Sequence, residues 1–334
     1  MITPRKHIRL PPLPTIRDLV KLYRIRALRQ LSQNFLMDER ITDNIVKAAG
    51  KLRDHHVCEI GPGPGGITRS IIKKQPKKLI VVEKDPRFLP TLELLQECCK
   101  DFTDFQIEID DIRSYNFETG FKGAPKHDWF EAPPPVHLIG NLPFSVSTNL
   151  IIRFLQAISE KNSAWTFGRS SMTLTFQKEV GERMVAPIMD KQRCRLSVMC
   201  QLWCEVQYKF TIPGKAFVPK PDVDVAVMTL VPLKYPLVDL PFKMVEKVLR
   251  TIFNMRQKYC IRGIEKLFPE HLRTDLGVKL CKLADIETTT RPFQISNEEF
   301  VRILYAYKVI CEDHPGLEQY DFRAAKIPLM EQQM

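Results

Sequence analysis

Short apolar runs alternate with amphipathic stretches from about residue 38 to 233. Residues 57–60, 79–82, 105–109 and 136–140 are rich in apolar residues, bounded by polar or turn residues, and short enough to predict buried strands. Helical periodicity fills the gaps, beginning with residues 38–49 and resuming from about Ile67. Further strand content lies at 172–176, 206–212 and 225–231. This alternation predicts an α/β layer with a largely parallel central sheet. The last two strands are joined through Pro213-Gly214 and residues 219–222 without a helix, which predicts an antiparallel pair.

After Pro232 the texture changes. Residues 242–256, 259–267 and 298–311 carry the helical period, with Pro269, Gly277 and Pro292 marking loops, so a small all-helical domain is expected at 234–322 and a tail at 323–334. The sheet domain would occupy 31–233. Residues 1–30 form a basic arm in which Ile16, Val20, Tyr23 and Ala27 recur at helical spacing. Arg5, Lys6, Arg9, Arg17, Lys21, Arg24, Arg26 and Arg29 face a single acid there, Asp18. An organelle-targeting segment, an RNA-contacting arm and a solvated surface helix all fit that pattern.

Composition narrows the function classes. Lys and Arg number 50 against 39 Asp and Glu, a net charge of +11, which favours a polyanionic partner and nucleic acid first. No apolar stretch reaches membrane-spanning length, since the best one breaks at Glu83-Lys84-Asp85. The 9 cysteines are odd in number, scattered, and free of any Cys-x-x-Cys pair, so neither a disulfide framework nor a zinc site is expected. Cys200 and Cys204 are spaced to share a helix face, but no histidine nearby completes a metal-ligand set. Trp129, Trp165 and Trp203 read as packing residues, and His55 and His56, just before the first strand, as solvated.

Two segments carry chemistry. Gly61-Pro62-Gly63-Pro64-Gly65-Gly66 follows an apolar strand and opens a helix, as a nucleotide-type loop does. No Lys-Ser/Thr follows, which excludes the phosphate-cradling ATPase loop. Glu83 ends the second strand, where a carboxylate can accept from both ribose hydroxyls, and Asp111 ends the third, where an acid can accept from an adenine amino group. Acids at successive strand ends favour S-adenosylmethionine over a dinucleotide. A nicotinamide oxidoreductase would also need a catalytic His or a Tyr-Lys pair, and none is apparent.

The fourth strand runs into Asn141-Leu142-Pro143-Phe144. This tetrapeptide suits methyl transfer to a planar exocyclic amine, whose lone pair is delocalised into its ring. If the Asn141 side-chain oxygen and the Leu142 carbonyl accept its two N–H bonds, the nitrogen is drawn toward a tetrahedral form with its lone pair free. Pro143 stiffens the bend and brings no competing N–H. Phe144 offers a stacking face, worth roughly 1–3 kcal/mol per base in single-strand binders.

With these residues on the page the chain resembles the ribosomal RNA adenine dimethyltransferase family, and most closely its mitochondrial branch. The likeness runs over about residues 11–320. It includes Leu31-Ser32-Gln33-Asn34-Phe35-Leu36, the Gly-rich turn with Ile67-Thr68-Arg69-Ser70, and Glu83-Lys84-Asp85. It continues through Asn141 to Ser147 and Phe176-Gln177-Lys178-Glu179-Val180, and closes with Phe217-Val218-Pro219-Lys220-Pro221-Asp222-Val223-Asp224.

The resemblance implies a Rossmann-like seven-stranded methyltransferase sheet with a helical RNA-contacting C-terminal domain. It further implies S-adenosylmethionine-dependent N6,N6-dimethylation of two adjacent adenines in a 3′-terminal hairpin of mitochondrial small-subunit rRNA, by a matrix protein acting as a monomer on a pre-ribosomal subunit. Carried over by position, Asn34 and Leu36 would border the methionine part of the cofactor, Gly61 and Gly63 line its turn, and Glu83 and Lys84 meet the ribose and adenine edge. Asp111 and Ile112 would meet the adenine, Asn141 both cofactor and target base, and Phe144 and Phe217 would sandwich that base. Asp110 stands where the family often has glycine, and Met37 where leucine is more usual. Lys178, Glu179 and Arg183 fall on a helix that the family places near RNA or in domain packing. The alternative is a binding factor in mitochondrial transcription or ribosome assembly on the same fold, against which the intact Asn141–144 edge and glycine turn speak.

Overall fold

The structure, a computed structural model, describes residues 10–13, 15 and 34–324. The amphipathic helix expected within residues 16–29 lies outside the described residues. Two compact units are present, one made of residues up to Glu182 together with Glu205–Lys234, the other of Arg183–Cys204 together with the chain from Tyr235 onward.

The first unit begins with β1 (Phe35–Leu36), α1 (Glu39–Ala48), β2 (His56–Ile60), α2 (Gly66–Ile72) and β3 (Lys78–Glu83). It continues with α3 (Leu89–Cys99), β4 (Asp104–Ile109), α4 (Phe117–Gly120), β5 (Val136–Gly140), α5 (Phe144–Glu160), β6 (Ser171–Gln177) and α6 (Lys178–Val185), the last crossing into the second unit. After α7 (Arg195–Trp203), which belongs to the second unit, it resumes with β7 (Cys204–Ile212), β8 (Phe217–Val218) and β9 (Val225–Pro232).

Seven strands form one sheet in the order β4-β3-β2-β5-β6-β9-β7. β4, β3, β2, β5 and β6 pair in parallel, and β9 is antiparallel to β6. This is the Rossmann-like methyltransferase sheet, with the order reversing between β2 and β5. Strands β2, β3 and β5 are buried along their whole length, as their apolar-rich runs predict for a sheet covered on both faces, and Glu59 and His137 are buried with them. The reversal opens a crevice beyond the carboxyl ends of β2 and β5, where open α/β sheets take ligands. Gly140 and Ile60 are register partners at that edge, and a Cβ on Gly140 would come within 2.9 Å of Ile60, so the two strands approach this closely only with glycine there.

One pairing was not foreseen. β1 and β8 form a separate two-stranded antiparallel sheet, Phe35 facing Val218 and Leu36 facing Phe217. Cys204 opens β7 rather than continuing the helix of Cys200, so the two thiols share no helix face. His56 is buried rather than solvated, at the start of a fully buried strand, and burial lowers its pKa. The three tryptophans are packing residues as read, each 6 % exposed or less.

The second unit is helical, with α8 (Phe242–Phe253), α9 (Cys260–Ile264), α10 (Arg273–Ala284) and α11 (Asn297–Asp313). The ring of Trp203 on α7 lies 5.2 Å from that of Phe242 on α8. Arg183–Cys204 thus packs with the helices, although by sequence it falls inside the span read as the sheet domain. Gly277, read as a loop residue, sits inside α10, and a Cβ there would meet Glu265 at 3.0 Å. The glycine marks close packing instead of a chain break.

Candidate active site

A cavity of about 490 Å³ opens at the carboxyl ends of β2, β3, β4 and β5, within the first unit. Its walls include Asn34, Gly61, Gly63, Glu83, Lys84, Asp111, Ile112, Asn141, Leu142, Pro143, Phe144 and Phe217. These are all the residues singled out from the sequence except Leu36, whose side chain is 4 % exposed and packs in the core beside β8. Both Asp110 and Asp111 line the cavity.

The floor is the glycine turn. Gly61, Gly63 and Gly65 all take positive φ, and a Cβ on Gly63 would lie 2.8 Å from the Phe35 ring, so a side chain there would be both strained and in collision. Glu83 holds this turn from the next strand. One carboxylate oxygen accepts the Gly63 N–H at 2.9 Å and the other the Asp85 N–H at 2.9 Å. Burial raises its pKa, against the pull of those two amides. Each oxygen retains a further lone pair for a ligand donor.

Arg69 on α2 braces the turn from behind. Its guanidinium donates to the carbonyls of Pro64 at 2.9 Å and Gly65 at 2.7 Å, and also to Pro11 at 3.0 Å and Pro12 at 3.3 Å. A buried cation thus ties residues 11–12 to the loop. Glu59, 1 % exposed on β2, is pushed up to about 8 by burial.

The rim at the ends of β3 and β4 is charged. Asp111 accepts from Arg113 Nε at 3.0 Å and Lys84 Nζ at 2.9 Å, and these cations, Arg113 first, hold its carboxyl well below the usual range. Arg87 engages Asp85 in the same bidentate way and lowers it, outweighing the opposing effect of burial.

Across the cavity, the bend from β5 into α5 is held by its side chains. Asn141 Nδ2 donates to the Asn34 carbonyl at 2.8 Å. Its Oδ1 accepts from the Thr175 hydroxyl at 2.8 Å, and the same hydroxyl accepts the Leu142 N–H at 3.2 Å. The Pro143 carbonyl accepts the first free amides of α5, from Val146 and Ser147, both at 3.1 Å. Asn141 Oδ1 keeps one lone pair, and Phe144 and Phe217 stand in the walls of the same cavity.

Sequence reasoning missed Thr175, Arg87 and Arg113. A signal existed for the first, because Thr173 and Thr175 alternate with Met172, Leu174 and Phe176 on a strand that is otherwise apolar. Hydroxyls on a buried strand need partners. Thr173 has His137, at 2.9 Å, and Thr175 has the bend.

The donor set fits S-adenosylmethionine. A steric cradle at Gly63, a buried carboxylate at the end of β3 and an acid at the end of β4 suit an adenosine, and the volume lies in the range of small-molecule sites. Among the described residues no cluster of His, Cys, Asp and Glu could hold a metal ion.

Comparison with known proteins follows the same line. The family model described as "Ribosomal RNA adenine dimethylase" matches residues 25–299. A protein of Drosophila pseudoobscura pseudoobscura named "Dimethyladenosine transferase 1, mitochondrial" is 52% identical over 324 residues, covering 96% of this chain and 94% of its own. A human protein of the same name is 50% identical over 315 residues, covering 94% and 90%. Among solved structures, a dimethyladenosine transferase from Plasmodium falciparum superposes with a TM-score of 0.62 at 22% identity, over 86% of this chain and 99% of that one, a likeness of fold.

Proposed function

The chain belongs to the ribosomal RNA adenine dimethylase family, and from that premise we propose that it dimethylates N6 of two adjacent adenines in a 3′-terminal hairpin of mitochondrial small-subunit rRNA, using S-adenosylmethionine. The mitochondrial names of relatives about half identical over nearly the whole chain support the compartment, with the matrix as its site of action. The net charge of +11 supports a polyanionic partner, with the basic arm and the helical unit gripping rRNA phosphates.

The observation that carries the reading is the anchored Asn141-Leu142-Pro143 bend facing the glycine turn across one cavity. Glu83 and the glycine turn would hold the ribose, Lys84, Asp111 and Ile112 the adenine, and Asn34 the methionine end. When bound, S-adenosylmethionine supplies a methyl group activated by its positive sulfur. Asn141 Oδ1 and the Leu142 carbonyl accept the two N–H bonds of a target adenine, which leaves its nitrogen lone pair directed at that methyl. Phe144 and Phe217 stack on a base taken out of its helix. No strong base is required, because the methylated amine is acidic and releases its proton to water.

The test is incubation of the purified protein with a small-subunit rRNA hairpin and methyl-labelled cofactor, followed by nucleoside mass spectrometry. Dimethyladenosine at two neighbouring positions, lost with Asn141→Ala, is expected. No incorporation by the wild-type protein, or full activity in Asn141→Ala, would overturn the reading.

A further inference from the structure

Asn141 can serve as an acceptor only if its side-chain amide is held the right way round. Rotated by half a turn, it would present Nδ2 to the incoming amine, a donor against a donor. Two contacts select the orientation. The Asn34 carbonyl can only accept, so the NH2 group faces it. The Thr175 hydroxyl then donates to Oδ1, while taking the Leu142 N–H as acceptor. One hydroxyl therefore touches both residues whose oxygens are expected to receive the amine.

Thr175 is well placed for such a task. It is 0 % exposed in the middle of the sheet, paired with Val227 of β9. Its β-branched side chain has little rotational freedom, so the hydroxyl is a fixed point from which the bend is measured.

We propose that Thr175 is a positioning residue for methyl transfer, locking the Asn141 amide with Oδ1 toward the target amine and pinning the Leu142 backbone beside it. The inference rests on the dimethyltransferase reading above. Thr175 lies behind Asn141 and Leu142 and is not among the residues that line the cavity, so its removal should slow the chemical step and leave binding nearly intact.

Thr175→Val keeps the shape and deletes the hydroxyl, while Thr175→Ser keeps the hydroxyl. On the rRNA hairpin, Thr175→Val is expected to lower kcat roughly 10- to 100-fold, the scale of a misplaced reactive group. KM for RNA and calorimetric affinity for S-adenosylmethionine should stay within about threefold, and Thr175→Ser should keep kcat within about threefold of wild type. Wild-type kcat in Thr175→Val, a Ser variant as slow as the Val variant, or a loss confined to KM would each overturn the assignment. If the wild-type protein itself transfers no methyl group, the dimethyltransferase reading fails separately. The lock is then read from the Asn141 side-chain NH2 resonances by NMR, which Thr175→Val should shift and broaden while Thr175→Ser leaves them in place. Unchanged resonances in Thr175→Val would refute it.

Discussion

Glu59 offers a quantitative test of how the glycine turn is supported. It sits on β2 two residues before Gly61, is 1 % exposed, and among the described residues nothing bonds its Oε2. Burial raises its carboxyl from the ordinary 4.5 to about 8. In the unfolded chain the group titrates near its ordinary value, so between those two pH values the folded protein binds the proton more tightly. Stability is therefore full below about pH 4.5 and falls as pH rises through the window, at up to about 1.4 kcal/mol per pH unit for this one group. Over the whole window that is at most about 5 kcal/mol, a substantial part of a domain's stability.

Glu59→Gln removes the titration while keeping the shape. At about pH 5 the variant should match wild type or fall about 1 kcal/mol below it, since a buried amide needs partners of its own. At about pH 9 it should be more stable by about 2–4 kcal/mol, the two curves crossing between. Glu83 is raised by burial as well, and its charge helps to raise Glu59, so the difference between the two proteins reports Glu59 together with its coupling to Glu83. Denaturant unfolding is read by fluorescence in a Trp203→Phe background, because the remaining Trp129 and Trp165 both belong to the first unit. Parallel pH profiles for the two proteins would show that Glu59 is ionised and solvated in the fold, and the reasoning would fail.

Three further outcomes are expected. Gly63→Ala would drive a Cβ to 2.8 Å from the Phe35 ring at a positive φ, so affinity for S-adenosylmethionine should fall by about tenfold or more, and stability by about 1–3 kcal/mol; unchanged calorimetry would refute the cradle. Arg69→Met should destabilise the first unit by about 2–4 kcal/mol in thermal unfolding, removing the guanidinium from the carbonyls of Pro11, Pro12, Pro64 and Gly65, the last of which keeps the backbone N–H of residue 69; an unaltered melting temperature would count against the brace. Arg113→Ala should let the Asp111 carboxyl titrate closer to the ordinary range in carboxyl-detected NMR. Asp111 is depressed in the folded protein, so its contribution to stability holds above the ordinary carboxylate value and is lost on acidification, and the variant should lose it earlier; a titration unmoved by the substitution would assign the depression elsewhere.

Much of this molecule is legible from side-chain pattern alone, for identifiable reasons. Strands β2, β3 and β5 announce themselves because a sheet covered on both faces favours short, mostly apolar segments, even with Glu59 and His137 among them. Asn141 and the glycine turn are readable because their chemistry is local, each within a few residues. What escaped depends on distant partners. β1 and β8 are two residues each and exist only through one another. Gly277 is tolerated within a helix because Glu265 packs on it, which no local signal reveals. Thr175 acts on a bend more than thirty residues earlier in the chain, through the neighbouring strand. Arg183–Cys204 has helical and strand texture like its surroundings, and partners far along the chain, among them the ring of Phe242 and the side chain of Asn297, disclose which unit it joins.

The small β1–β8 sheet has a consequence for how the protein is made. It clasps the segment entering the first unit to one near that unit's end, and it brings Asn34 and Phe217 to the same chamber. While the chain is emerging from the ribosome, Phe35-Leu36 waits without its mate through the synthesis of nearly the entire sheet. The wall of the chamber is thus complete only in a polypeptide that extends to Val218. A fragment ending before Phe217 would retain Gly61, Glu83 and Asn141 yet lack the wall that Phe217 supplies.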